Sequence, residues 1–239
     1  PPRSTLFPYT TLFRSLMAQT REVNVNLIGV GAGLSYDVTG PTHHCLEDIA
    51  LMRLLPNVSV VSPSDTSFMS DITTYAISDT KPCYIRLDGK ALPRLYPLGS
   101  QPLFSDGFRS LRAGRKICLV STGYMTHVAL QVADALSKEG CYVGLIDVFL
   151  LKNFNTSKLQ SELNPYDILV TLEEGFIWRG GLDSLVASLT LASKTPKPVY
   201  PLGFDDAYIF EVGDRKHLHE IAGLGVDKIV EQIKALNFQ

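Results

Sequence analysis

The sequence has no CxxC pair, and its four cysteines, Cys45, Cys83, Cys118 and Cys141, stand far apart. That spacing excludes the paired-ligand zinc sites and points to a reduced, cytoplasmic setting. Cys118 and Cys141 lie in or beside apolar, strand-like runs, where a thiol serves as a small buried hydrophobe. Long apolar runs are missing too, since no uninterrupted stretch reaches the roughly 20 residues that a membrane-spanning helix needs. Nor is there an excess of one charge: 22 Lys and Arg face 24 Asp and Glu, for a formal net charge of −2. No basic stripe recurs along a helix, which removes the electrostatic footprint of nucleic-acid binding. What remains is hydrophobic material, 45% of 239 residues, enough for two small soluble domains.

The first residues read differently from the rest. Residues 5–15, from Thr5 to Ser15, are what a widely used sequencing adapter encodes through eleven consecutive codons. A secretory leader fits poorly, because Pro8 and the threonines Thr10 and Thr11 interrupt any apolar segment and no small-residue cleavage site follows. Residues 1–15 are therefore set aside as a disordered artefact. The first authentic residues are expected near Leu16, in a piece of a longer gene product.

From residue 23 short apolar runs alternate with amphipathic stretches, the pattern of α/β layers on a mostly parallel sheet. Residues 23–30 predict a strand, residues 31–44 a polar glycine-rich segment, and Leu46, Ile49, Ala50 and Leu54 a helix that stops at Pro56 and Asn57. Residues 58–61 form a second strand. Asp65 then caps a helix with Phe68, Met69, Ile72, Tyr75 and Ala76 on one face, and residues 83–87 form a third strand. Three strands with two crossover helices suggest the back end of a larger sheet. Pro93, Pro97 and Pro102 disfavour both helix and central strand, so residues 91–107 are expected to be a linker. Beyond it the alternation restarts, with strands over 117–121, 143–148, 168–172 and 199–202. Helices are expected over about 125–137 and 156–163, through Leu182, Leu185, Val186 and Leu189, and through Ile229, Val230, Ile233 and Leu236.

Gly29, Gly31 and Gly33 invite a dinucleotide-binding reading, but such a turn opens directly into a helix, and residues 34–41 intervene here. A serine-hydrolase elbow at Gly33-Leu34-Ser35-Tyr36-Asp37 fails because its second glycine is missing. What remains is Gly40-Pro41-Thr42-His43-His44, an acidic helix start at Glu47 and Asp48, a Leu55-Pro56-Asn57 stop, and a turn at Pro63-Ser64-Asp65. This ordered set resembles the pyrimidine-binding domain of the transketolase and deoxyxylulose-phosphate synthase superfamily. The best fit is to transketolases whose halves are separate chains, in which this half is the C-terminal section. Ser121-Thr122-Gly123, Leu172-Glu173-Glu174 and Gly180-Gly181 resemble the superfamily's C-terminal domain. The implied fold is α/β: a truncated parallel-sheet pyrimidine-binding domain over 16–90, the linker over 91–107, and a complete, mostly parallel α/β C-terminal domain over 108–239.

The resemblance implies transfer of a two-carbon ketol unit with thiamine diphosphate and Mg2+, bound only in a complete assembly. The family's cofactor-activating glutamate and its stacking aromatic residue belong upstream of Leu16, and its metal and diphosphate motif belongs to a separate N-terminal section. That section is the expected partner, in a dimer of such pairs acting on a sugar phosphate or related carbonyl substrate, and this chain alone is expected to be inactive. By resemblance His43 faces the substrate and shuttles a proton to the reacting carbonyl; as a purely structural group it would tie down the turn. His44 is a second substrate contact or a helix cap. Arg86 and Lys90 lie where the family places a cation for the sugar phosphate, or else form a surface ion pair. Glu47 and Asp48 are favoured in a first helical turn by the helix dipole alone. Glu173 and Glu174, at a strand end, would repel one another into a raised pKa or divide between a salt bridge and solvent. The chain departs from full transketolases at Thr39, where they carry an acidic residue, and in the glycine-rich stretch, where they carry another histidine. Two other readings are a deoxyxylulose-phosphate synthase or 2-oxo acid dehydrogenase beta-like subunit and a noncatalytic α/β interaction subunit.

Overall fold

The structure, a computed structural model, describes residues 24–78, 81–96 and 104–237. The suspected adapter and the expected cofactor contacts upstream of Leu16 lie outside the described residues. Two sheets organise the rest. The first contains β1 (Asn26–Val30), β2 (Ser59–Val61) and β3 (Cys83–Leu87), joined by α1 (Asp48–Leu54) and α2 (Met69–Ser78). β3 lies between β1 and β2, parallel to both. β2 is buried along its whole length, as its Ser-Val-Val sequence and central position require. The fourth strand, β7 (Leu150–Lys152), comes from much later in the chain and pairs antiparallel with β2.

The second sheet contains β4 (Phe108–Arg112), β5 (Ile117–Ser121), β6 (Gly144–Val148), β8 (Ile168–Phe176) and β9 (Val199–Phe204), in the order β4-β6-β5-β8-β9. All are parallel except β4, an antiparallel edge strand on β6. α3 (Met125–Lys138) forms because Met125, Val128, Ala129, Val132, Ala133 and Leu136 recur at spacings of three and four, giving one buried face. That face packs with Ile229, Val230 and Ile233 of α7 (Val226–Asn237). α4 (Thr156–Leu163) begins at Asn155, whose side chain accepts from Lys158 N at 3.1 Å. α5 (Leu182–Leu191) covers the opposite face with Leu182, Leu185, Val186 and Leu189. α6 (Arg215–Ile221) is capped by Asp214, which accepts from His217 N at 2.8 Å.

One core cluster spans the two sheets. Ile49, Met52, Val58 and Val60 of the first region pack in the same cluster as Val120, Ile146, Leu182 and Val186 of the second. A polar seam runs beside this core. Parallel α/β sheets offer a crevice at the carboxyl ends of their strands where the strand order reverses, here around β5 and its two neighbours. In this chain the first region fills it. Asp147, fully buried at the end of β6, accepts from Tyr96 Oη at 2.6 Å, from Thr126 Oγ1 at 2.8 Å and from Ser64 Oγ. Burial pushes its carboxyl up to about 6 even though these hydrogen bonds oppose the rise.

Several expectations change in detail. The stretch 91–107 contributes two aromatic side chains to the core: Tyr96 is 1% exposed with its ring 4.7 Å from that of Phe68, and Phe104 stacks on Phe149 at 5.5 Å. Asp65 accepts from Leu95 N and, at 2.9 Å, from Tyr96 N, as well as capping the turn before α2. The strand expected to end at residue 172 runs on to Phe176, which places Glu173 and Glu174 inside β8, both buried. Strands β4 and β7 and helix α6 lie where no element was expected.

Candidate functional site

The glycine-rich segment leaves β1 and returns as a closed loop. Gly31 N and Ala32 N donate to Leu87 O at 3.0 Å each, and Gly33 and Cys45 exchange backbone hydrogen bonds at 3.0 and 2.9 Å. Residues 34–44 therefore project as a loop whose ends are pinned together. Within it His43 N donates to Gly40 O at 3.0 Å, making the turn that carries the paired imidazoles. His43 is exposed, with Thr42 Oγ1 3.0 Å from its Nδ1 and its ring edge-on to Tyr36 at 6.5 Å. His44 is half-buried, with Nε2 3.3 Å from Asp37 O.

Asp37 anchors this loop. Its carboxylate accepts from Val38 N at 2.9 Å, from Arg215 N at 2.8 Å and from Lys90 Nζ. Burial opposes its ionisation, but the hydrogen bonds from Lys90, Arg215 and Val38 prevail and hold the carboxyl below the usual carboxylate range. Lys90 is about half exposed, and its backbone N donates to Asp88 Oδ1 at 2.8 Å. His43, His44 and Lys90 are thus gathered around Tyr36 and Asp37.

Arg86 occupies a different level. It is 3% exposed, with Nε 2.8 Å from Asp48 Oδ2 and Nη2 donating to Cys45 O at 3.1 Å and Glu174 O at 3.2 Å. Tyr84 Oη adds a second donor to Asp48 Oδ2 at 2.8 Å. The acid at the start of α1 is therefore a buried counter-ion, and Arg86 ties the His turn to both sheets. Burial pushes the Cys45 thiol up to about 12, so it is no thiolate nucleophile near neutral pH.

Beneath the loop lies a charge cluster that periodicity did not reveal. Glu174 accepts from Arg215 Nε at 2.7 Å, from Arg215 Nη2 and from His219 Nε2 at 2.8 Å. Arg215 Nη1 reaches Asp88 Oδ2 at 2.7 Å, and its guanidinium lies 3.6 Å over the Tyr124 ring. Burial penalises the Glu174 carboxylate, yet Arg215 and His219 outweigh this and hold its pKa well below the usual range. Gly33 sits against it with φ of 57°, and a Cβ there would overlap the Glu174 carboxyl, so glycine is required for both space and conformation. Neither Glu174 nor Arg215 stood out as a partner of the loop, because 178 positions separate Asp37 from Arg215.

Family models match most of the chain: "Transketolase, pyrimidine binding domain" over residues 4–94 and "Transketolase, C-terminal domain" over residues 107–229. The chain belongs to the transketolase family. It is 33% identical over 215 residues to one subunit of the apulose-4-phosphate transketolase from Actinobacillus succinogenes, covering 90% of this chain and 68% of that protein. It is 30% identical over 203 residues to a 1-deoxy-D-xylulose-5-phosphate synthase from Dictyoglomus turgidum, covering 84% of this chain but only 32% of the synthase. Among solved structures, a split-gene transketolase described as an inactive beta4 tetramer matches with a TM-score of 0.76 and 29% identity, over 90% of this chain and 67% of that one. A Pichia stipitis transketolase shares the fold at a TM-score of 0.74 and 18% identity, with this chain spanning 32% of it. Among the described residues no group of three or more His, Cys, Asp and Glu side chains is placed to hold a metal ion. No described helix is long and apolar enough to cross a membrane.

Proposed function

We propose that this chain supplies the substrate-facing turn of a thiamine diphosphate-dependent enzyme that moves a two-carbon ketol unit between sugar phosphates or related carbonyl compounds. An N-terminal section is its partner, in a dimer of such pairs, and provides the Mg2+ and diphosphate clamp. The observation that carries this is the exposed His43 imidazole on a loop closed by the Gly33 and Cys45 pairing and anchored through Asp37 to Arg215. A rigid foot under a solvent-facing imidazole suits a group that must meet a substrate held by another polypeptide. The Actinobacillus succinogenes relative, itself one subunit of its enzyme, supports the division into two chains.

The cofactor supplies the carbon–carbon bond chemistry once bound by the assembly. The part derived for this chain is narrower. With Thr42 Oγ1 3.0 Å from Nδ1 of His43, the tautomer whose Nδ1–H donates to the Thr42 hydroxyl leaves Nε2 bare to take a proton from a substrate hydroxyl, and the protonated ring returns that proton to the reacting oxygen. Lys90, half exposed and partnered by Asp37, offers a cation to a phosphate at the rim, with His44 beside it. We assign Arg86 to holding the turn beneath them, through Asp48 and Cys45 O.

The test is reconstitution with the N-terminal section. This chain alone should give no turnover. With the section present, His43→Ala should lower kcat by about 100-fold or more, the usual range for losing a general acid or base, while stability changes by less than about 0.5 kcal/mol. Equal loss of turnover and stability would reduce His43 to a structural part of the loop. A second reading, use of a decarboxylating 2-oxo acid donor, is favoured by the synthase relative. Supplying pyruvate and a ketose phosphate in separate assays of the same pair distinguishes the two donors.

A further inference from the structure

A pocket of about 320 Å³ opens between α1 and the carboxyl end of β8, near the lower end of the size range for small-molecule sites. One wall is aliphatic, from Ile49 and Leu51; the other is aromatic, from Phe176 and Tyr208, whose rings meet edge-on at 6.1 Å. Glu173 lies at its base, 2% exposed. Its Oε1 accepts from Asp183 N at 3.2 Å, whereas Oε2 has no hydrogen-bond partner. Gly175 and Gly181 line the same pocket, and a Cβ on either would press against the Glu173 carboxyl. The two glycines thus leave no side chain between the buried carboxyl and the cavity.

The charges around the pocket select its ligand. Glu47 and Asp206 add two acids to Glu173, and Arg179, the basic residue of the lining, is paired with Asp206 at 2.6 Å. An anion would meet acidic walls, and a neutral apolar molecule would leave Oε2 without a donor in a low-dielectric site. We infer that this pocket binds a compact organic cation whose N–H groups donate to Glu173 Oε2 and whose apolar body lies between Ile49 and the rings of Phe176 and Tyr208. The carboxyl is suited to this exchange, because burial pushes it up to about 7. The backbone N–H groups of Leu182 and Asp183 oppose the rise, as do Arg86 on β3 and Arg53 on α1, while the Asp183 carboxylate on α5 reinforces it. Near neutral pH it therefore takes up a proton when the pocket holds no cation and releases it when one binds.

Titration calorimetry of the full chain with benzamidinium as the probe tests the proposal. Ionisation of a group with pKa near 7 predicts affinity about tenfold higher at pH 8 than at pH 6, with proton release on binding measured in buffers of different ionisation heat. Neutral benzamide should show no such gain. Glu173→Gln should remove the pH dependence and most of the affinity. Leu51→Arg, at a 60% exposed position on the pocket mouth, should weaken binding without touching the core, which keeps the test valid if the Glu173 variant fails to fold. Absence of binding at pH 8, equal affinity at both pH values, or unchanged affinity in Leu51→Arg would each overturn the assignment.

Discussion

Arg215 joins groups that are far apart in sequence: the Asp37 loop through its backbone N, and Glu174, Asp88 and the Tyr124 ring through its guanidinium. Removing one member of a buried, hydrogen-bonded charge pair leaves the other without compensation, a loss of roughly 3–5 kcal/mol. Arg215→Ala should therefore lower the urea midpoint strongly at pH 7. The sign of its pH dependence follows from Glu174, whose folded pKa is depressed. Its contribution is complete above the ordinary carboxylate range, near pH 4.3, and is lost as pH falls through the lowered folded pKa. The gap between the two proteins should narrow as pH falls, because Glu174 without Arg215 is left to burial and takes up its proton at a higher pH than the paired carboxyl. A gap that widens in acid would show that Glu174 is not held ionised by Arg215. Glu173, its neighbour in sequence, has the opposite sign. Its raised carboxyl contributes stability that is complete below about 4.5 and is lost as pH rises through about 7. Adjacent acids in one strand diverge because alternation points them to opposite sides, one toward Arg215 and the other toward a pocket where only backbone N–H groups of α5 oppose the effect of burial before the distant Arg86 charge is felt.

Elements whose own residues carry their packing pattern were legible in the sequence. α3 shows its buried face in its spacing, and β5, with the sequence Ile-Cys-Leu-Val-Ser, is buried throughout. The elements that went unseen take their stability from elsewhere. β4 reads Phe-Arg-Ser-Leu-Arg and is held at the edge by β6, β7 has three residues, and α6 is a seven-residue helix with Leu218 as its one buried apolar side chain. The His turn was legible as a motif, but the residues that fix it were not, since Glu174 and Arg215 belong to β8 and α6. The seam gives an element-scale test. Tyr96 comes from the stretch expected to be a linker, yet its hydroxyl donates to buried Asp147 at 2.6 Å and its ring packs on Phe68. Tyr96→Phe keeps the packing and removes the donor, a loss of about 1.5–3 kcal/mol for a hydrogen bond to a charged group. The effect should be larger at pH 8 than at pH 5, because Asp147 ionises near 6 and the ionised form needs the donor more. Denaturant titrations at both pH values measure it, and no loss at pH 8 would mean the seam adds little to the fold.

Two family models divide the chain near residue 100, but the physical connections cross that division repeatedly. β7 completes the first sheet by pairing with β2, Lys152 Nζ donates to Arg53 O at 2.9 Å, and Arg53 Nη1 reaches the carbonyls of Gly180 and Gly181. Ile49, Met52 and Val60 have no core separate from Val120, Ile146 and Leu182. A unit confined to residues 24–96 would expose most of the apolar surface that β2 and α1 bury, and so would lack independent stability. The two regions should therefore unfold together. Calorimetry of the full chain should give one endotherm whose calorimetric and van't Hoff enthalpies agree, and Tyr96→Phe and Arg215→Ala should shift that single transition without splitting it. Two resolved transitions would mean that the shared core is a contact between autonomous domains. In that case the His43 turn would not be rigidly tied to the second sheet, and its anchoring through Asp37 and Arg215 could not pre-organise it for a substrate.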